Sequence, residues 1–463
     1  MLLCMVGLVC ITWIRALWLR TLMVDGTGTP WTWVVLGAAW LLFSAGAMRA
    51  YLGAMDGPRA PLRALLGGAV LLHCAAAFSL PYSSNDLFSN LAYGRMARLG
   101  LDPYFSGPIA LPAGDPFRAL VSSNWLHAPS VYGPILTAVN ALAGRADSVP
   151  AAMAIFKLMM LGVGLATVLV SYAICRRLRH GEGASAFVLL AWNPLFAYEI
   201  SGQAHNDAVM VLGLTAFVWA AIEERELLAV LFLGLAFYAK FAVGPVLGLY
   251  LWHLARKAPA KALVAGALVA LIGLLLFLPF WKGMGTLVGP LAAVRADPSR
   301  VTRSFTEIAY LLAKVVSEPL GLAVYKVGWW FGMAVFLGLG ARALWRVRDL
   351  ASVLHESLVW LLLYLLVGAP FVLPWYLSWL LPLTLTERDP RWRRLVAVYS
   401  SLSVVEWCAD LPPLQVAVVN TAVLLLAVRW FRGGGAGGVA AAETASTAAS
   451  PAPRGGHAAF NGS

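Results

Sequence analysis

Long, unbroken apolar runs constrain this chain more than any other feature. They recur at 2–18, 30–48, 63–80, 151–175, 184–199, 207–222, 227–240, 243–255, 262–281, 321–341, 352–369, 371–386, 394–409 and 413–430. About 20 apolar residues at 1.5 Å rise each cross a bilayer as a helix. In lipid only helices and closed barrels satisfy their own backbone groups. Barrel strands alternate polar and apolar residues, and these runs do not. Composition agrees: 60% of the 463 residues are hydrophobic and 12% charged, against roughly half and a quarter in soluble proteins. Disorder needs the opposite balance, and glycine period and cysteine count exclude collagen and disulfide scaffolds. The sequence therefore predicts an all-α polytopic membrane protein. The 227–240 and 243–255 runs are short for full spans and suggest a re-entrant hairpin, so the expected count is 12 to 14 helices.

The formal charge is +12. In a soluble protein that would suggest nucleic acid, but in a membrane protein it reflects basic cytoplasmic loops. Arg49, Arg59 and Arg63; Arg176, Arg177 and Arg179; Arg256, Lys257 and Lys261; Arg342, Arg346 and Arg348; Arg391, Arg393 and Arg394; and Arg429 and Arg432 flank successive runs. Fourteen crossings place all of them on one side. Arg15 and Arg20 fall on the other side, which leaves the first helix the least constrained. The N-terminus is apolar at once, with no basic n-region, so a retained first helix is expected rather than a cleaved signal. Cys4, Cys10, Cys74, Cys175 and Cys408 sit in or beside apolar runs without a CxxC pair, as small packing residues do.

This topology divides the chain into a membrane-embedded domain, 1–432, and a Gly/Ala-rich tail, 433–463, expected to be cytoplasmic and disordered. Two long segments face outward, 81–150 and 282–320. The first opens with Ser83, Ser84, Asn85 and Asp86, all helix-capping types. Leu87, Leu91 and Ala92 follow at helical spacing, then Arg95, Arg98 and Gly100 as an end signal. The pattern predicts an amphipathic helix over 86–99, lying along the membrane surface. Asp86 then stands at the membrane–water boundary, either as a cap or as a general base kept ionised by the helix N-terminus.

Other polar groups interrupt the apolar pattern. His205, Asn206 and Asp207 precede the 207–222 run as capping residues or as a substrate-facing cluster; further metal ligands at suitable spacing are lacking. Lys240 sits at the break of the short hairpin, either snorkelling or meeting a phosphate. Arg295, Arg300 and Arg303, with Lys282, make the second outer segment basic, for lipid headgroups or a substrate phosphate. Trp375 and Tyr376 in LPWYLSW fit an interfacial aromatic belt or a sugar-stacking platform. Tyr132 in VYGP, with Asn124, Trp125 and His127 before it, is similar. Glu406 and Asp410 suggest no specific role.

The order of these elements resembles a known family. A carboxylate follows an early span, then come a loop helix with YGRM and DPY, a VYGP element, WNPLFAYEISGQAHNDAVMV (192–211), AFYAKFAVGP (236–245) and LPWYLSWLLPL (373–383). Over most of 63–386 this is similar to the GT-C class of integral-membrane glycosyltransferases. The closest subgroup is the bacterial polyprenyl-phosphate-mannose-dependent mannosyltransferases, including α-1,6-mannosyltransferases. Many GT-C relatives carry two adjacent carboxylates where this chain has Asn85-Asp86.

The resemblance implies a GT-C-like helix bundle in the bacterial inner membrane, with its active site facing outward. It implies transfer of a hexose, mannose by the resemblance, from a polyprenyl-phosphate donor to a glycan or glycolipid, with no cofactor. Asp86 would be the base, and Lys240 and Arg303 would hold the donor phosphate. Asn85, Tyr132, His205, Asn206, Asp207, Trp375 and Tyr376 would contact substrate. Two alternatives remain open on the residues alone. One is a secondary transporter with Asp207 and Lys240 as a coupling pair, although no repeat is evident. The other is a polysaccharide polymerase or ligase using lipid-linked sugars.

Overall fold

A computed structural model of the chain describes residues 1–25, 30–57, 60–81, 84–178, 182–288, 302–405 and 412–433. Helices dominate, and the described residues contain no strand, only one isolated parallel bridge between Thr302 and Phe371. Among the described residues, five helices are long and apolar enough to cross a membrane: Val34–Asp56, Val149–Cys175, Pro259–Phe280, Glu318–Arg346 and Leu350–Gly368. Shorter apolar helices pack among them. Leu263, Leu274, Val327 and Trp330 point outward from these spans and are more than half exposed. Water would penalise such a surface, whereas lipid does not. The protein is an all-α multi-pass membrane protein.

In chain order, α1 (Leu2–Asp25), α2 (Pro30–Asp56) and α3 (Leu62–Ala77) are followed by the segment 81–150. This segment folds as α4 (Asp86–Arg98), the single turns α5 (Pro116–Ala119) and α6 (Ser123–Leu126), and α7 (Pro134–Ala143). Next come α8 (Val149–Cys175), α9 (Glu182–Ala191), α10 (Asp207–Ile222), α11 (Glu226–Ala239), α12 (Gly244–Lys257) and α13 (Pro259–Phe277). Beyond Thr302 stand α14 (Phe305–Val316), α15 (Glu318–Arg346), α16 (Leu350–Leu363), α17 (Leu381–Thr384), α18 (Pro390–Ser403) and α19 (Pro412–Gly433).

Local sequence explains many of the starts. Ser148, Ser304 and Ser317 cap α8, α14 and α15 through their hydroxyls. Asp349 and Ser352 form a reciprocal capping box at α16. Between α11 and α12 the chain extends at Lys240 and makes one 3-10 turn over Phe241–Val243, the break expected for the short hairpin.

The centre of the bundle is α10. It is apolar on all sides, and most of its residues are buried against α8 and α11, as the lack of a polar face requires. Polar ties fix the surrounding layers. Asn193 Nδ2 donates to Tyr51 Oη (3.1 Å) and Ser400 Oγ (2.8 Å), and Tyr51 Oη donates to the Leu189 carbonyl (2.8 Å).

Three expectations need correction. The helix at 86–98 forms, but protein covers it on most of its faces instead of on one. Leu87, Ser89, Asn90, Leu91, Ala92, Tyr93, Gly94 and Met96 are all buried. The reason is α7, which meets α4 backbone to backbone. A Cβ on Gly94 would stand 1.9 Å from the Asn140 carbonyl, and one on Gly144 would stand 2.2 Å from Gly94. The 371–386 run is not a regular span. It makes a 3-10 helix over Pro374–Leu380 and then the single turn α17, with prolines starting both. The 184–199 run likewise splits into α9 and a π-helix over Phe196–Gly202. The tail at 434–463, Arg295, Arg300, Ser83, Cys408, Glu406 and Asp410 lie outside the described residues.

Candidate active site

The polar groups singled out in the sequence converge where several elements end. The π-helix Phe196–Gly202 is followed by Ala204 in the left-handed region (φ 61°), a conformation that costs a non-glycine residue energy. It is held by Gln203 N donating to the Tyr198 carbonyl (2.8 Å) and His205 N donating to the Glu199 carbonyl (3.1 Å). This turn delivers His205, Asn206 and Asp207 to the start of α10. All three are buried.

Asp207 is not a conventional cap. The cap position belongs to Asn206, whose side chain makes no capping bond. Asp207 Oδ1 instead accepts from Lys240 Nζ at 2.7 Å and from Trp379 Nε1 at 2.5 Å. Its Oδ2 is buried without a hydrogen-bond partner. Lys240 is thus ion-paired, and its ammonium also lies 4.9 Å from the Tyr376 ring centre and 5.2 Å from that of Trp379, within cation–π range. Those two rings stack on each other at 4.3 Å. An ammonium has three donors, so Lys240 can hold Asp207 and still meet an anion.

His205 stacks on Trp375 with ring centres 3.6 Å apart, and its Nε2 lies 3.1 Å from Glu199 Oε2. Trp375 is therefore buried among the cluster, not part of an exposed belt. Asn206 Nδ2 and Asn140 Nδ2 both donate to Asn90 Oδ1, at 3.0 and 3.2 Å. This asparagine triad ties α4, α7 and the start of α10 together.

Asp86 opens α4 from its first turn, while Asn85 holds the cap position without a side-chain bond and is exposed. The Asp86 backbone N–H donates to Ser84 Oγ (3.0 Å). Burial is the main influence on its carboxyl and raises its pKa above the ordinary value. His205, Lys240 and the Ser84 hydroxyl pull it down, and Asp207 pushes it up. Yet Asp86 keeps partial solvent access. Asp86 is near enough to Tyr132 and Tyr376 for its charge to act on both.

Tyr132 belongs to the VYGP element, which docks against the end of α11. Gly133 N donates to the Ala239 carbonyl (3.1 Å), and a Cβ there would meet the Tyr238 carbonyl at 2.0 Å. Only glycine allows this approach, so VYGP lies next to Lys240 in the chain's own packing. Asn124 and His127 remain exposed around α6, with Trp125 half-buried.

Arg303 reaches this region through its backbone. Thr302 bridges Phe371, Val372 N donates to the Thr302 carbonyl (3.1 Å), and Ser304 Oγ donates to the Pro370 carbonyl (2.8 Å). Arg303 itself is in the left-handed region (φ 51°), with its N–H on Glu307 Oε2 at 2.5 Å. It therefore stands beside the strand-like approach to Trp375.

Sequence reasoning missed Glu199, Trp379 and Lys157. Glu199 and Lys157 each carry a signal, a charge inside an apolar run. Lys157 Nζ donates to the Ser79 carbonyl (2.8 Å) and to that of Gly202, and Gln203 Nε2 donates to Ser79 Oγ (3.1 Å) and the Leu80 carbonyl (3.0 Å). These bonds fix both the π-helix and the chain leading to Asp86. Trp379 has no such signal, being one of 19 tryptophans.

Residues 4–256 match the model of a family described as alpha-(1->6)-mannopyranosyltransferase, N-terminal domain. The chain belongs to this family. It is 28% identical over 347 residues to alpha-(1->6)-mannopyranosyltransferase A of Mycobacterium tuberculosis, covering 70% of this chain and 65% of that relative. It is 24% identical over 394 residues to alpha-(1->6)-mannopyranosyltransferase A of Corynebacterium glutamicum, with 76% and 77% covered. A shorter stretch of 137 residues is 31% identical to alpha-(1->6)-mannopyranosyltransferase B of the same organism, with 28% and 22% covered. The chain thus spans 65% of the length of the mycobacterial relative. The family match contains Asp86, Tyr132, His205 to Asp207 and Lys240, whereas Arg303 and the Trp375–Trp379 platform come from beyond it.

Proposed function

We propose that this protein transfers mannose from a polyprenyl-phosphate donor to a glycan or glycolipid acceptor on the outer side of the bacterial inner membrane. The observation that carries the reading is a partly accessible carboxylate, Asp86, within electrostatic reach of an oriented cation, Lys240, that sits on an aromatic platform. Membership of the mannosyltransferase family supports the sugar. The basic clusters of α12–α13 and α15–α16 lie at the helix ends away from Lys240, which supports an outward-facing site by the positive-inside rule.

In the proposed step Asp86 accepts the proton of the acceptor hydroxyl. The acceptor oxygen bonds to the anomeric carbon as the bond from that carbon to the phosphate oxygen breaks. The lipid phosphate leaves with the electron pair, and configuration inverts. A raised pKa makes Asp86 a stronger base than a surface carboxylate. Lys240, aimed by Asp207, and Arg303 neutralise the charge growing on phosphate. Trp375 and Tyr376, with His205, Asn206, Asn85 and Tyr132, present the faces and polar edges that a sugar needs. Residues 1–432 form the transferase unit, with 81–150 and 282–320 outside.

The test supplies isolated membranes with labelled polyprenyl-phosphate-mannose, or with a labelled nucleoside-diphosphate mannose under conditions that block polyprenyl-phosphate-mannose synthesis. The reading expects label in glycan or glycolipid only from the lipid donor and only with the protein present. Transfer from the nucleotide sugar alone would overturn it.

A further inference from the structure

A cavity lies at the end of α11 away from Lys240. It measures about 1320 Å³ and is walled by the ends of α11, α12, α15 and α16, with Glu226, His253, Lys257, Lys261, Trp345 and Arg348 among its lining. Along the 14 residues of α11 this is about 20 Å from Lys240 at 1.5 Å per residue, so it is a separate site. Two apolar grooves of about 560 and 540 Å³ open from it. The first shares Glu226, Leu254 and Lys261 with the cavity and continues past Leu227 and Val264. The second shares Trp252 and Leu344 and continues past Gly248, Leu251 and Leu263.

The charges in the cavity favour an anion. Arg256, Lys257, Lys261 and Arg348 face Glu224, Glu226 and Asp349 in the lining, with Lys257 and Lys261 on the one carboxylate of Glu226 at 3.2 and 2.5 Å, so one positive charge is in excess. Asp349 is occupied capping α16 through Ser352. Arg256 spends one N–H on the Val347 carbonyl (2.8 Å) and keeps its charge. Trp345 is 80% exposed, and Trp252 donates Nε1 to the Leu344 carbonyl (3.1 Å), as tryptophans do at a membrane interface.

A basic mouth alone would be a solvated loop face, and an apolar groove alone would hold bulk lipid. Here one mouth feeds two grooves, at the end of the protein that carries its basic clusters. We infer that this cavity binds an anionic diacyl phospholipid of the cytoplasmic leaflet, its phosphate among Lys257, Lys261 and Arg348 and one acyl chain in each groove. Fixed there, the lipid ties the ends of α11, α12 and α15 together on the far side of the membrane from the sugar site.

Native mass spectrometry of the detergent-purified protein tests this, with phosphatidylglycerol, phosphatidylcholine of the same chains, and soluble glycerol phosphate as probes. Phosphatidylglycerol should be retained about fivefold better than phosphatidylcholine, one surplus cation contributing roughly 1 kcal/mol. Removing two charges in Lys261→Gln/Arg348→Gln should weaken retention roughly thirtyfold. Gly248→Leu places a side chain where a Cβ meets nothing within 4 Å, so it should fold, fill the second groove and also lose lipid. Equal retention of the two lipids, unchanged retention in both variants, or equal binding of glycerol phosphate would each overturn the site.

Discussion

Breaking the Asp207–Lys240 pair from its two ends should give unequal costs. Lys240→Met leaves the Asp207 carboxylate, 1% exposed, without its cation. Stranding a buried charge costs about 3–5 kcal/mol. The Trp379 indole still donates to Oδ1, and the α10 N-terminus still favours an anion, so the lower end, about 3 kcal/mol, is expected. Asp207→Asn keeps an acceptor for Trp379 and leaves a lysine that is 15% exposed over two aromatic rings. That cation retains solvent and cation–π stabilisation, so the loss should be about 1–2 kcal/mol. In Lys240→Met/Asp207→Asn neither charge is stranded, and the loss should again be about 2 kcal/mol, giving a coupling of roughly 2 kcal/mol. SDS-induced unfolding of the four proteins in mixed micelles measures the cycle. Transfer activity should stay lost in the double variant although stability recovers. Equal single costs that simply add would refute the pairing as the organiser of this site.

Three further outcomes follow from the geometry. Asp86→Asn should cut turnover by about 10²–10⁴, the usual share of general base catalysis, while leaving expression and unfolding near wild type; wild-type turnover would exclude it as the base. Because burial raises the Asp86 pKa, its protonated form is the one the fold favours. Its stabilising contribution is full below the unfolded pKa and is lost as pH rises through the folded value. Activity runs the opposite way, rising with pH through that folded value; the activity profile should flatten in Asp86→Asn, read by rate and unfolding midpoint across pH 4 to 7, a window spanning roughly the ordinary Asp value and above. Gly133→Ala should push VYGP off α11, since its Cβ would stand 2.0 Å from the Tyr238 carbonyl; a loss of about 1–3 kcal/mol with reduced transfer is expected, and an unchanged unfolding midpoint would contradict the close approach.

The all-α membrane class was legible because apolar runs admit few other folds in lipid. The start of α10, the α11–α12 break and the helix after Asp86 were legible because caps, a lysine and glycine punctuate them. The burial of α4 was not, because it depends on Gly94 meeting Gly144 some 50 positions away, and a single helix shows only its own periodicity. The splitting of 371–386 had a visible cause in Pro374 and Pro382, but high hydropathy masked it. Glu199 lay inside an apparent span and was read with it; only the π-helix turns it toward His205. The individual site residues were chosen by spacing and resemblance, whereas their pairing, Asp207 on Lys240 and His205 on Trp375, is a property of packing alone.

The most direct measurement of the central claim is label transfer from polyprenyl-phosphate-mannose by wild type, Asp86→Asn and protein-free membranes, with the anomeric configuration of the product read by NMR. The account predicts transfer with inversion by wild type, transfer about 10²–10⁴-fold slower by Asp86→Asn, and none above background without the protein. Transfer at equal rates with Asp86→Asn, or retention of configuration by wild type, would contradict it.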